Sequence, residues 1–88
     1  MRFKDKVVIV TGGGSGMGRA ASILFAQEGA KVVICGRREQ EGGIVVDEIS
    51  KEGGQAFFVK TDISIESDVQ KLVEKTVLEF GKIDVLFN

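Results

Sequence analysis

Several residue types that support particular chemistries are missing or scarce in this 88-residue sequence. It contains no histidine, tyrosine, tryptophan or proline, and its single cysteine is Cys35. One cysteine excludes an internal disulfide framework and any multi-cysteine metal site, and the lack of histidine argues further against a zinc or iron centre. Because proline is absent, no strong helix breaker divides the chain. A reducing compartment is the expected environment.

The sequence also lacks an excess of one charge and a long apolar run. Twelve Lys and Arg residues nearly balance thirteen Asp and Glu residues, for a formal net charge of −1. We therefore expect no long-range attraction to nucleic acid or to an anionic membrane. The apolar runs are far shorter than the ~20 residues that a membrane-spanning helix needs. With no signal-peptide pattern at its start, the sequence predicts a cytoplasmic location.

Short apolar runs alternate with segments of helical periodicity along the whole chain. The runs at residues 7–10, 31–35, 56–59 and 84–87 predict buried strands. The periodic segments at residues 17–25, 38 to about 52 and 64–80 predict helices that end at Gly29, Gly53 and Gly81. Ser64 is a candidate N-cap of the third helix. This alternation predicts right-handed βαβ crossovers and a parallel sheet covered on both faces.

Each predicted helix has an apolar face that is expected to pack on the sheet. The three faces consist of Met17, Ala20, Ala21, Leu24 and Phe25 in the first helix, Val45, Val46 and Ile49 in the second, and Val69, Leu72, Val73, Val77 and Phe80 in the third. Gly42 and Gly43 weaken the prediction of the second helix, because each costs about 1 kcal/mol relative to alanine inside a helix.

A glycine-rich segment separates the first strand from the first helix. It reads Thr11-Gly12-Gly13-Gly14-Ser15-Gly16-Met17-Gly18. The unpaired N–H groups and the positive dipole end of a helix N-terminus favour an anion such as a pyrophosphate, and glycines permit its close approach. A tight turn alone needs only one glycine, so five in seven residues favour phosphate binding. The spacing is G-x-x-x-G-x-G, which differs from both G-x-G-x-x-G and a Walker-type phosphate loop.

These residues resemble the fingerprint T-G-x-x-x-G-x-G of the short-chain dehydrogenases/reductases. Two later signatures agree: Asp62-Ile63 after the third strand, and Leu86-Phe87-Asn88, which begins the family's N-N-A-G motif. The resemblance covers the whole chain and looks greatest to 3-oxoacyl-carrier-protein reductases and glucose-dehydrogenase-like members. It implies an α/β fold over residues 1–88: the N-terminal half of a Rossmann-type, doubly wound parallel sheet with strand order 3-2-1-4.

The resemblance also implies a dinucleotide site built from the glycine-rich loop and from the ends of the second and third strands. The residues expected to bind the cofactor are Gly12, Gly14, Ser15, Gly16, Met17, Gly18, Arg37, Arg38, Asp62 and Ile63. It implies no catalytic residue and no metal ligand within the chain.

The segment Gly36-Arg37-Arg38 favours NADP over NAD as the cofactor. In such folds an acidic residue about 20 residues beyond the loop binds the ribose 2′-hydroxyl of NAD, and Gly36 stands at that place. A 2′-phosphate would meet no repulsion there, and Arg37 supplies a planar donor fork for it. Alternatively, Arg37 and Arg38 are solvated charges at a helix start, where the helix dipole disfavours them. Some NADP-preferring members carry a basic residue where this chain has Ser15, which leaves most of the discrimination to Arg37.

Three other side chains have alternative interpretations. Asp62 resembles the family residue that accepts a hydrogen bond from the adenine amino group, with Ile63 packing on the ring; equally, it caps the following helix, and the two roles are compatible. Cys35 is better explained as a small buried hydrophobic residue than as a nucleophile. Arg19 is expected to be a helix-surface charge.

The family's chemistry is hydride transfer between a nicotinamide cofactor and a carbonyl or alcohol carbon of a small-molecule substrate, with a tyrosine as general acid/base. This sequence has no tyrosine, and its fourth strand would form a bare apolar edge. We therefore expect the first third of a longer enzyme, cut within the N-N-A-G motif and inactive alone, whose intact form is a homodimer or homotetramer. The alternatives are a stand-alone nucleotide-binding or sensor module and a partner-binding piece that uses its open sheet edge.

Overall fold

The computed structural model describes residues 2–88. Its four strands are β1 (Val7–Thr11), β2 (Lys31–Gly36), β3 (Gln55–Lys60) and β4 (Val85–Phe87). The helices that connect them are α1 (Gly16–Gln27), α2 (Glu39–Lys51) and α3 (Glu66–Phe80). The strands form one parallel sheet in the order β3-β2-β1-β4, which confirms the predicted α/β, Rossmann-type arrangement. No helix within residues 2–88 is long and apolar enough to cross a membrane.

The sheet has a separate apolar core on each face, because successive side chains of a strand point to opposite faces. The core on the first face consists of Val8, Val10, Ala30, Val32, Ile34, Val45 and Ile49. The core on the second face consists of Ile9, Val33, Cys35, Val59 and Leu72. Helices α1 and α2 thus cover the first face, and α3 covers the second. β1 and β2 are buried from both sides, as their continuous apolar runs predict.

The apolar face predicted for α1 is wrong in part. Met17 and Leu24 are exposed, whereas Ser22 is fully buried. The Ser22 hydroxyl donates to the Gly18 carbonyl at 2.8 Å, so its polar group is satisfied within the helix and can face the sheet. A pattern that counts only apolar residues cannot detect a buried serine, so it placed the packing face too far round the helix.

Helix α3 buries a narrower stripe than its sequence predicts. Leu72 and Thr76 are buried, but Val73 and Val77 remain 41% and 45% exposed. Thr76 is tolerated there because its hydroxyl donates to the Leu72 carbonyl at 2.7 Å. Only the part of the predicted stripe nearest the sheet is covered.

The two glycines inside α2 differ in their surroundings. A Cβ on Gly42 would collide with the ring of Phe58 in β3, whereas a Cβ on Gly43 would meet nothing within 4 Å. Gly42 therefore lets α2 lie directly against the sheet, and this close packing offsets its low helix propensity. Each helix ends within two residues of the glycine that predicts its end. Gly29, Gly53 and Gly81 all have a positive φ, as is typical at the C-terminus of a helix.

Candidate cofactor site

The glycine-rich loop forms a tight passage from β1 into α1. Gly12 and Gly16 have φ angles of +66° and +55°, a region that side chains with a Cβ rarely adopt. At Gly18, a Cβ would collide with the Gly12 carbonyl group. Local geometry thus explains all three glycines of the G-x-x-x-G-x-G spacing. Gly12 and Gly16 allow the turn, and Gly18 allows α1 to approach that turn.

The N-terminus of α1 presents backbone N–H groups that no side chain within residues 2–88 caps. Ser15 is its N-cap but makes no capping hydrogen bond through its side chain, and the first turn contains no acidic residue. The first N–H groups of a helix have no partner within the helix. Within residues 2–88, no side chain accepts from the amides of Gly16, Met17 or Gly18. This end of α1 is therefore suited to an anion.

A groove of about 190 Å³ joins this loop to the end of β2. It is lined by Gly12, Gly14, Ser15, Cys35, Gly36, Arg37, Arg38, Glu41 and Phe58. Two backbone hydrogen bonds of 2.8 Å hold its walls: the Gly12 N–H donates to the Cys35 carbonyl, and the Thr61 N–H donates to the Gly36 carbonyl. Parallel strands end at a common edge, which explains how segments distant in sequence meet here.

Five of the ten residues predicted to bind a cofactor line this groove: Gly12, Gly14, Ser15, Arg37 and Arg38. Gly16, Met17 and Gly18 belong to the first turn of α1, and Met17 is 83% exposed. Asp62 and Ile63 follow β3 at the same edge of the sheet, with Ile63 66% exposed. The binding role of each of these residues stays a prediction, although the structure brings them to one edge.

The two arginines after β2 are in different situations. Both are exposed. Arg38 is the N-cap of α2, and its Nη1 lies 3.4 Å from Oε2 of Glu41. Within residues 2–88 no ion pair involves Arg37, so its guanidinium group remains available for an external anion. Glu41 is a residue of this groove that the sequence analysis missed. Its spacing of three residues from Arg38 was the available signal.

Asp62 closes a turn and does not cap α3. Its Oδ1 accepts from the Ser64 hydroxyl at 2.6 Å and from the Ser64 N–H at 3.0 Å. These bonds, with a smaller contribution from the charge of Arg37, hold the pKa of Asp62 below the ordinary carboxyl value. Asp68, in the first turn of α3, accepts from the Asp62 N–H at 2.9 Å.

The prediction that Ser64 is the N-cap of α3 is wrong. The N-cap is Ile65, and α3 begins at Glu66. The Ser64 hydroxyl is engaged by the Asp62 carboxylate two residues earlier, so it faces away from the helix N-terminus. A charged acceptor makes a stronger hydrogen bond than a neutral one, which favours this turn.

Side-chain hydrogen bonds hold β4 against β1 at both of its ends, and the sequence analysis did not predict them. Thr11 Oγ1 lies 3.1 Å from the Asn88 side-chain oxygen and 3.4 Å from the Phe87 carbonyl. At the other end, Asp84 Oδ2 accepts from the Val7 N–H at 2.8 Å and lies 3.0 Å from Lys82 Nζ. The hydrogen bond from Val7, followed by that from Lys82, lowers the pKa of Asp84. The short β4 is thus anchored at both ends.

Cys35 and Arg19 have the structural roles that the sequence predicts. Cys35 is buried, and burial raises the pKa of its thiol to about 11. The thiol is therefore protonated near neutral pH and is not a nucleophile. Arg19 lies on the surface of α1 and forms an ion pair with Glu48 of α2, in which its Nη2 donates to both carboxylate oxygens, at 2.7 and 2.8 Å.

A sequence profile of the family described as short chain dehydrogenase matches residues 6–88. The chain belongs to the short-chain dehydrogenase family. An uncharacterized oxidoreductase of Thermotoga maritima is 43% identical over 88 residues, which cover all of this chain and 34% of that protein. This short-chain dehydrogenase sequence thus spans about a third of the length of that curated relative.

Two further proteins are similar to this chain over nearly its whole length. The short-chain dehydrogenase/reductase homolog YusS of Bacillus subtilis is 42% identical over 89 residues, which cover 100% of this chain and 82% of that protein. A crystal structure of a short-chain dehydrogenase/reductase of unknown function from Caenorhabditis elegans, solved with cofactor, superimposes with a TM-score of 0.92 at 42% identity, covering 98% of this chain and 33% of that one. The particular likeness to 3-oxoacyl-carrier-protein reductases is not confirmed by these proteins.

Proposed function

We propose that this chain binds the adenosine half of NADP, and that the whole protein is an oxidoreductase that moves hydride between NADP(H) and a carbonyl or alcohol carbon of a small molecule. The observation that carries this proposal is the groove that joins the glycine-rich loop to Arg37. Membership of the short-chain dehydrogenase family supports the reaction class.

The residues of the site fit a dinucleotide. The uncapped N-terminus of α1 offers amide donors to a pyrophosphate, and the glycines leave room for it. At the far end of the groove, Gly36 places no carboxylate where a 2′-phosphate would lie, and Arg37 supplies a permanent positive charge. Asp62 has one carboxylate oxygen held by Ser64, which fixes the orientation of the other. When bound, the cofactor supplies a hydride acceptor or donor through its nicotinamide ring.

Comparing the binding of NADPH and NADH tests the cofactor preference. We expect the chain to bind NADPH at least ~10-fold more tightly, since a charge-assisted, two-pronged contact to phosphate is worth about 1.5–3 kcal/mol. Arg37→Asp is expected to reverse this preference. Lys71→Asp, the same charge change on the exposed surface of α3, is the matched control and should leave the ratio unchanged. Equal or tighter binding of NADH by the unaltered chain would contradict the proposal.

The 88-residue chain alone is proposed to be inactive, because it contains no tyrosine to act as the general acid/base of the family reaction. Mixing it with NADP and a panel of alcohols should produce no NADPH absorbance above the buffer rate. Turnover that depends on Arg37 would overturn this part of the proposal.

A second candidate is a stand-alone nucleotide-binding module without catalysis. It is favoured by the relative of which this chain covers 82%, since that protein is only slightly longer. The mass of the native protein distinguishes the two candidates. A polypeptide about three times as long as this chain, as in the relative covered to 34%, supports the enzyme, whereas a mass close to that of this chain supports the module.

We further propose that the intact protein is cytoplasmic, acts without nucleic acid or membrane partners, and assembles into a homodimer or homotetramer. Light scattering of the intact protein gives the oligomeric state, and cell fractionation gives the location. A monomer, or a membrane-associated fraction, would contradict these statements.

A further inference from the structure

One carboxylate lies inside the groove that we propose for the 2′-phosphate. Glu41 is the only acidic residue lining it within residues 2–88. Its side chain is 40% exposed, and its Cβ lies 3.1 Å from the position that a Cβ on Gly14 would occupy. Glu41 thus belongs to the first turn of α2 and faces the glycine-rich loop, where an incoming phosphate would be close to it.

This carboxylate already holds one of the two arginines expected to bind phosphate. Arg38 Nη1 lies 3.4 Å from Glu41 Oε2 across a single helical turn. While this pair persists, Glu41 compensates part of the charge of Arg38, so that Arg38 attracts an external anion less strongly. Arg37, which makes no ion pair with residues 2–88, is the guanidinium group left free in the groove.

We propose that Glu41 is a specificity-determining residue that weakens the preference for NADP, an inference that rests on the proposed function. Its carboxylate competes with the cofactor's 2′-phosphate for Arg38. A phosphate monoester carries a charge between about −1.5 and −2 at neutral pH, so Glu41 repels it and also occupies Arg38. The 2′-hydroxyl of NAD has no charge to be repelled. Glu41 therefore narrows the difference in affinity between the two cofactors that Arg37 creates.

Removing the charge of Glu41 tests this role directly. The probes are adenosine 2′,5′-bisphosphate and AMP, which differ by the 2′-phosphate alone and need only the adenosine half of the site. Glu41→Gln should tighten binding of the bisphosphate relative to AMP about fivefold, a size typical of two charges separated by several ångströms at a protein surface. The effect should shrink as salt is added.

Glu39→Gln is the matched control. Glu39 lies in the same first turn of α2 and is exposed, but it does not line the groove. Both variants remove one negative charge from the same helix end, so both alter the helix dipole interaction alike. An equal change in the two variants, or none in Glu41→Gln, would overturn the inference. Circular dichroism confirms that both variants fold.

A double-mutant cycle tests the contribution of Arg38. Arg38→Ala should weaken binding of the bisphosphate little in the unaltered chain and at least ~3-fold in the Glu41→Gln background, where Arg38 is released. Identical effects in both backgrounds would overturn the competition. If the unaltered chain binds bisphosphate no better than AMP and Arg37→Asp changes nothing, the proposed function itself fails. If the preference and its dependence on Arg37 are present but Glu41→Gln matches Glu39→Gln, only the role of Glu41 fails.

Discussion

The face of the sheet covered by α1 and α2 and the face covered by α3 are packed to different degrees. On the first face, Ile34 of β2 is fully buried beneath two helices, with Val45 and Ile49 of α2 among its core neighbours. On the second face one helix covers the sheet, and Leu72 is its one buried apolar residue. Val73 and Val77 of the same helix are more than two-fifths exposed.

The cofactor groove lies apart from α3 and β4. The groove is lined by the loop after β1, the end of β2, the start of α2 and Phe58. Phe58 packs against the first core, whereas Cys35 at the end of β2 belongs to the second. Neither α3 nor β4 contributes a residue to it. Changes on the α3 side are therefore expected to affect the stability of the chain more than the binding of adenosine nucleotides.

The largest expected effect on stability comes from shortening one buried side chain in each core. Ile34→Ala should lower the free energy of unfolding by about 4 kcal/mol and Leu72→Ala by about 2.5 kcal/mol, since a less covered site loses fewer contacts and leaves a smaller enclosed cavity. Urea denaturation followed by circular dichroism measures both. If Leu72→Ala costs more than Ile34→Ala, the first face is not the main source of stability.

A smaller effect tests the close packing of α2 on the first face. Gly42→Ala should destabilise the chain by about 2 kcal/mol, because the new methyl group must displace the Phe58 ring. Gly43→Ala, one residue further along the same helix, meets open space and should stabilise the chain by about 0.5–1 kcal/mol. Thermal unfolding of the pair gives the comparison. Similar shifts in the two variants would show that α2 does not lie tightly against β3.

The smallest expected effect concerns the anchor of β4 on the less covered side. The pKa of Asp84 is lowered in the folded chain, so its carboxylate stabilises the fold above the unfolded value of about 3.9. That contribution is lost as the pH falls through the folded-state pKa. The melting temperatures of the unaltered chain and Asp84→Asn should therefore differ most near neutral pH and converge below pH ~4.

Asp47→Asn provides the control for this pH dependence. Asp47 is an exposed aspartate on α2, and its replacement should shift the melting temperature little at any pH. A constant difference between the unaltered chain and Asp84→Asn across the acid range would show that the hydrogen bond from Val7 does not depend on the charge of Asp84.

The elements of this fold were predictable from short-range patterns. Continuous apolar runs identified β1 and β2, and the glycines after α1, α2 and α3 identified the helix ends, because these signals involve residues close together in the chain. The faces of the helices were less predictable. Ser22 is buried because its hydroxyl bonds within its own helix, and a count of apolar residues cannot include it.

By itself, the sequence determined the alternation of strands and helices, the glycine-rich loop and the family to which the chain belongs. Tertiary structure alone decided that Gly42 lies against Phe58 and that Glu41 faces the glycine-rich loop in the groove. The physical reason is one of range. Local patterns reflect backbone preferences over a few residues, whereas the surroundings of a side chain depend on which strands and helices meet in space.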